Sequence, residues 1–135
     1  MEYFNTFGGN PVSCAISLAV LEAIESEEMM RNARVVGQKL LDDLVGLQRL
    51  YPIVGNVRGL GLFVGIELVA TNRLNLEPAT DAAKIIVEKM KDLGILISTD
   101  GPFNNVLKFK PPIVFTSEDA DFFVQSLDLV LSEIN

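Results

Sequence analysis

The sequence predicts an α/β chain, more narrowly an α+β arrangement: two N-terminal helices, then a small, mostly antiparallel sheet with helices on one face. Three observations predict it. Apolar residues recur at three- and four-residue spacing in four segments, short runs between them alternate apolar and polar residues, and glycine or proline marks each change of period. The order is ααββαββα, without an internal repeat.

Asn10 is a good N-cap and Pro11 a good first helical residue, so the first helix starts at Pro11 and runs to about Ser26. Over Pro11–Ile24 its clearly polar positions are Ser13, Ser17 and Glu22, and a helix apolar all round expects protein on every side. Sequence missing upstream, or a second chain, would supply that cover. Without it, self-association through Val12, Ile16, Ala19, Val20 and Ala23 is expected. Met29, Ala33, Val36, Leu40, Leu44 and Leu47 form the stripe of a second helix, with Asn32, Gln38, Lys39, Asp42 and Asp43 opposite and Tyr51-Pro52 as its end.

Ile53–Arg58 reads as a short strand, and Gly59 and Gly61 bend the backbone around Leu60. Leu62–Val69 is a half-buried strand, because Leu62, Val64, Ile66 and Leu68 alternate with Phe63, Gly65 and Glu67. Ala70–Pro78 reads as a polar loop. Thr80 or Asp81 caps a helix over roughly Asp81–Leu93, with Ala82, Ile86, Met90 and Leu93 inward and Gly94 as its stop. Ile95–Thr99 is a strand, Asp100-Gly101-Pro102 a turn, and Val106–Lys110 a strand stopped by Pro111-Pro112. Thr116-Ser117-Glu118-Asp119 has the form of a capping box, and the last helix turns Ala120, Phe123, Leu127, Val130 and Ile134 to the core.

Composition narrows the chemistry. The 135 residues suffice for one core, and their net charge of −7 lacks the basic balance that nucleic-acid backbones require. With no histidine and one cysteine, imidazole catalysis, structural zinc and an internal disulfide are all excluded. No apolar run nears the ~20 residues of a membrane span, and Met1-Glu2 does not open a secretory leader. A reducing, cytoplasmic location is expected.

Few segments offer a site. Thr6-Phe7-Gly8-Gly9-Asn10-Pro11 sets a hydroxyl and two glycines at a helix N-terminus, which suits an anion, but from the residues alone an ordinary capped turn is the preferred reading. Val57-Arg58-Gly59-Leu60-Gly61-Leu62 fails as a dinucleotide fingerprint, because the third glycine is missing and a strand follows, so its glycines read as a sheet corner or bulge. Lys108 and Lys110 leave one face of their strand while Leu107 and Phe109 leave the other. They are either cations beside a pocket for an anionic substrate or solvated lysines of an edge strand. Cys14 reads as a small buried hydrophobe, Met29-Met30 and Phe122-Phe123 as packing, and Glu25, Glu27 and Glu28 as a solvated helix end.

Thr6–Pro11 with the helix behind it, Arg58-Gly59-Leu60-Gly61-Leu62 entering a strand, and Pro111-Pro112 after a strand bearing a cation together resemble one family. It is the class III pyridoxal-phosphate-dependent aminotransferases, of fold type I. The resemblance covers the C-terminal portion of such enzymes: residues 1–50 as the end of the large-domain segment with connecting helices, and 51–135 as the small C-terminal domain. It implies pyridoxal 5′-phosphate as cofactor, a homodimer, and a small-molecule amine as substrate, without nucleic acid, membrane or metal. The lysine that bonds covalently to the cofactor would lie upstream of Thr6, and none of the five preceding residues is lysine. The catalytic large domain is therefore expected to be absent, no catalytic residue is assigned here, and the chain alone is expected to be inactive.

By the same resemblance, Thr6 hydrogen-bonds the cofactor phosphate of the partner subunit. Lys108 occupies the place where many members carry an arginine that grips the substrate carboxylate, and a lysine is a point charge rather than a fork. Ser98–Pro102 and Asn105–Pro112 look most like the phospho-lyase branch, whose substrates are phosphoethanolamine or phosphohydroxylysine. The implied reaction is transamination of an amine or amino acid, or elimination of phosphate from a phosphorylated amine. From the residues alone, a free-standing α+β regulatory or interaction module that binds a small anion or a partner protein remains the alternative.

Overall fold

The computed structural model describes residues 4–72 and 75–134, so Arg73 and Leu74 of the expected loop lie outside the described residues. The elements are α1 (Pro11–Ser26), α2 (Met29–Leu50), β1 (Val54–Leu60), β2 (Phe63–Asn72), β3 (Asn75–Pro78), α3 (Thr80–Asp92), β4 (Ser98–Asp100), β5 (Val106–Phe109) and α4 (Ser117–Ile134). They fall into two compact units, Met1–Arg31 and Asn32–Asn135.

In the first unit, the Asn10 side chain accepts a hydrogen bond from the Ser13 amide at 3.0 Å, which caps α1 as its sequence implies. No residue of α1 is buried. Cys14 is accordingly exposed, a correction to its expected burial: a small apolar side chain is buried only where something covers it, and nothing described does.

In the second unit, β1, β2, β5 and β4 lie side by side in that order, all antiparallel, and β3 pairs with the far end of β2. The β1–β2 hairpin turns at Gly61, whose φ of +56° fits the first central residue of a tight hairpin turn. Val64, Ile66 and Leu68 of β2 and Leu107 and Phe109 of β5 are buried beneath the helices. They join Val36, Leu40, Leu44 and Leu47 of α2, Ile86 and Met90 of α3, and Phe123, Leu127 and Val130 of α4 in one core. Phe109 stacks on Phe123 with ring centroids 4.0 Å apart. At Gly37, α2 touches the hairpin tip so closely that a Cβ there would stand 2.2 Å from the Gly61 carbonyl oxygen.

Several expected boundaries move. The supposed loop Ala70–Pro78 is a hairpin, with Val69 opposite Pro78 and Asn72 opposite Asn75. Glu77 and Pro78 of β3 are exposed, so no inward residue at that end announces the strand. The strand expected at Ile95–Thr99 is only Ser98–Asp100, because Ile95 and Ile97 pack half-buried against the core before pairing with β5 begins. Helix α3 is capped at Ala79 without a side-chain bond; the Thr80 hydroxyl donates instead to the Phe103 carbonyl at 2.6 Å. Its inward line is Ala83, Ile86 and Met90, while Ala82 is half-buried and Leu93, at the C-cap, is exposed. The capping box of α4 is present: the Asp119 amide donates to Thr116 Oγ1 at 3.2 Å, and Asp119 Oδ2 accepts from the Thr116 amide at 2.9 Å.

Candidate functional site

Strand alternation sends Arg58, Phe63, Gly65, Glu67, Val106, Lys108 and Asp100 to the face opposite the core. All of these but Glu67 line a cleft of about 480 Å³ together with Gly59, Leu60, Val64 and Gly101. Register fixes two adjacent rows across it. One runs Arg58, Gly65, Lys108, Ser98; the next runs Asn56, Glu67, Val106, Asp100.

The charges are paired between the rows. Lys108 Nζ donates to Asp100 Oδ2 at 2.7 Å, and Arg58 Nη1 donates to Glu67 Oε2 at 2.7 Å. The Lys108 ammonium holds the Asp100 carboxyl below its ordinary range, and the Gly101 amide, donating to it at 2.7 Å, adds to this. Lys110, on the same face, lies 5.4 Å from the centre of the Phe63 ring. Asn32 of α2 donates to the carbonyls of Ile113 and Phe115, both at 3.0 Å, and so ties down the segment that follows Pro111-Pro112.

Lys108 is therefore not on a sheet edge. Its strand is hydrogen-bonded to β2 on one side and β4 on the other, which removes the expectation of two lysines guarding an edge. The sequence singles out Lys108 but does not show its ion-pair neighbours: neither the Asp100-Gly101-Pro102 turn nor the Arg58-Gly59-Leu60-Gly61 segment predicts the pairs with Asp100 and Glu67. Parity about the Gly61 turn carries the missing signal, since Arg58 and Glu67 must share the outer face once Leu60 opposes Phe63.

Thr6 lies in the other unit, exposed, in the turn that leads into α1. Asn5 Oδ1 accepts from the amides of Phe7 at 3.2 Å and Gly8 at 3.1 Å, and Gly9 takes φ +73° before the Asn10 cap. With those amides engaged by Asn5, the exposed Thr6 hydroxyl beside the positive end of α1 is what suits a phosphate group, so the residues present fit a phosphate-bearing cofactor. Among the described residues, no group of three or more His, Cys, Asp or Glu could hold a metal ion, and no helix is long and apolar enough to cross a membrane.

The family model for class-III aminotransferases matches residues 1–131. This chain belongs to the class III aminotransferase family. A curated class III relative, an alanine–glyoxylate aminotransferase 2 homolog of Arabidopsis thaliana described as mitochondrial, is 46% identical over 98% of the chain, which spans 28% of that relative's length. Among solved structures, a phospholyase from Arthrobacter in complex with phosphoethanolamine superposes with a TM-score of 0.90 at 41% identity, over 98% of this chain and 31% of that one. An amine transaminase from an uncultivated Pseudomonas species, solved with pyridoxal phosphate bound, superposes at 0.81 with 32% identity, over 100% of this chain and 30% of the other. The antiparallel sheet with its helices is thus the fold shared with class III enzymes.

Proposed function

We propose that this chain is the C-terminal part of a homodimeric, pyridoxal-phosphate-dependent class III enzyme, and that the intact enzyme eliminates phosphate from a small phosphorylated amine. The observation that carries this is Lys108: a lysine held by Asp100 in the cleft, at the position where transaminases of the resembling kind use an arginine fork. A point charge tolerates an anionic group that is not a planar carboxylate. The likeness to the phosphoethanolamine-bound phospholyase supports the same choice over transamination.

Residues 1–50 would then complete a large domain, and 51–135 would form the small domain that faces the substrate. When bound, pyridoxal phosphate supplies an electron sink for the carbon next to the substrate amine. The chain's own part is positioning. The Thr6 hydroxyl donates to the cofactor phosphate held in the partner subunit, beside the positive end of α1, which favours the same dianion. The Lys108 ammonium neutralises the anionic end of the substrate, and the outer sheet face shields that end from bulk water, which strengthens the attraction. The C–O bond to phosphate breaks at the neighbouring carbon and phosphate departs with the electron pair; one water then hydrolyses the C=N bond of the resulting imine, giving an aldehyde and ammonia. No group in this chain is assigned a proton-transfer role. The single, unpaired cysteine of this chain suits a reducing cytoplasm.

The test uses the full-length protein purified with pyridoxal phosphate. Cofactor absorbance together with phosphate release from phosphoethanolamine or phosphohydroxylysine is the expected result. Cofactor absorbance with amino transfer and no phosphate release would return the enzyme to transamination, and no cofactor absorbance would refute the proposal entirely. Sedimentation of the same sample reads the dimer, and cell fractionation reads the compartment.

A further inference from the structure

We propose that Arg58 is a second substrate-binding cation of the cleft, and that Arg58 and Lys108 clasp a phosphoryl dianion between them over Gly65. The proposal deepens the phosphorylated-amine reading above and rests on it for the identity of the substrate, though not for the existence of the anion seat.

The two rows that cross the sheet are built differently. In the cationic row, Arg58 and Lys108 stand on either side of Gly65; in the acidic row, Glu67 and Asp100 stand on either side of Val106. Neighbouring strands are spaced about 4.8 Å, so each like-charged pair has backbones roughly 10 Å apart. Between the acids that interval is filled by the Val106 side chain. Between the cations stands Gly65, where an added Cβ would already meet Val106 Cγ1 at 3.3 Å and both Arg58 Cγ and the Arg58 carbonyl oxygen at 4.0 Å, so the glycine keeps the floor of the cleft low between the two cations. The position without a side chain between two like charges therefore falls in the positive row.

The ion pairs do not account for it. Each cation is bound to its own acid at 2.7 Å, and exposed pairs of this kind contribute little to stability and need no glycine between them. Nor do the acids block the seat. Arg58 keeps four further N–H donors and Lys108 two after serving Glu67 and Asp100, so both have capacity for added oxygen atoms. A carboxylate is satisfied by one fork. A dianion with three terminal oxygens can take a planar guanidinium on one side and an ammonium on the other, in short charge-assisted bonds. Phe63, 57% exposed at the next position along β2, offers an apolar edge for the carbon chain of the ligand.

The experiment uses the full-length holoenzyme, in which the cofactor's own phosphate site is filled. Calorimetric titration with inorganic phosphate is run beside steady-state phosphate release from phosphoethanolamine. Arg58→Gln keeps a hydrogen-bonding partner for Glu67 and removes the charge; Gly65→Ala raises the floor of the cleft between the cations, against Val106, at a strand position of ordinary φ. Both are expected to weaken phosphate binding and raise KM about tenfold, the loss of one charged hydrogen bond, with kcat within about twofold. Arg58→Lys is expected to recover part of the affinity, and inhibition by unphosphorylated ethanolamine to stay at the wild-type value. Unchanged phosphate affinity in both Arg58→Gln and Gly65→Ala would overturn the proposal. Should Gly65→Ala fail to fold, the Arg58 pair decides alone. Phosphate release with unaltered KM in the variants would sink the seat and keep the substrate reading. Wild-type binding of phosphate that depends on Arg58, without any turnover of phosphoethanolamine, would keep the seat and sink the reading.

Discussion

Alanine at Gly37 and alanine at Gly46 make the same substitution in the same helix, and the structure predicts opposite signs for them. Both replace a helical glycine, so both gain the backbone preference of alanine, about 1 kcal/mol. At Gly46 nothing lies within 4 Å of the added Cβ, and the gain stands. At Gly37 the Cβ would fall 2.2 Å from the Gly61 oxygen, 2.3 Å from its carbonyl carbon and 2.7 Å from its Cα. The obstacle is backbone at a turn whose φ of +56° already confines it, so no flexible side chain can swing aside. Overpacking of this kind costs about 1–3 kcal/mol, and a backbone obstacle belongs at the upper end. The preference term is common to the two variants and cancels between them. Their separation should therefore equal the packing cost alone, about 3 kcal/mol, or roughly 10 °C in midpoint for a chain of this size. Urea and thermal unfolding followed by helical circular dichroism measure it. Equal shifts for the two alanines would refute the close approach of α2 to the hairpin.

Other perturbations have equally definite outcomes. Phe123→Ala removes a fully buried ring stacked on Phe109 and should cost about 3–5 kcal/mol in the same unfolding assay. Thr116→Ala deletes the acceptor that caps α4 and should cost about 1 kcal/mol. The Asp100 carboxyl is lowered chiefly by Lys108 and that of Asp119 chiefly by the Thr116 amide. Their contributions are therefore present above the ordinary value of 3.8 and lost as pH falls through the lower folded values, so Lys108→Gln should move acid unfolding to higher pH. On the alkaline side, Asp121 and then Asp43 raise Lys39 above 10.5, and Asp128 raises Tyr51 above 10.0. Their stabilisation is present below those values and lost as pH climbs through the folded ones; a pH titration of Asp121→Asn should show alkaline unfolding starting earlier. Ile16 and Val20 are 61% and 52% exposed on α1, and replacing both with lysine should reduce self-association of the chain in sedimentation.

Much of this was legible in the sequence wherever burial imposes a period. The limits of α1 and α2 follow from the Asn10-Pro11 cap and the Tyr51-Pro52 stop, and the inward set of β2 from its alternation. Legibility failed where structure depends on backbone pairing alone. At the exposed Glu77 and Pro78, β3 is defined by its pairing with β2, and β4 starts where its partner β5 becomes available rather than where its isoleucines begin. The cleft was half visible for the same reason. Lys108 could be assigned a side from Leu107 and Phe109, but its coupling to Asp100, and the alignment of Arg58 with Gly65 and Lys108, are facts of inter-strand register that one strand's pattern does not contain. The bonding of β5 on both sides, likewise a matter of sheet order, removed the edge-strand reading.

That interior place of β5 bears on how such a site can evolve. Its odd-numbered residues, Leu107 and Phe109, belong to the core, while Lys108 between them belongs to the cleft and its backbone is bonded to strands on both sides. A mutation at 108 changes the charge offered to a ligand while the scaffold beneath stays where it is, so ligand preference can drift without unfolding the protein. The reverse holds at 107 and 109, where change is felt in stability and leaves the chemistry of the cleft alone. One short strand thereby carries two separate evolutionary liberties, interleaved residue by residue.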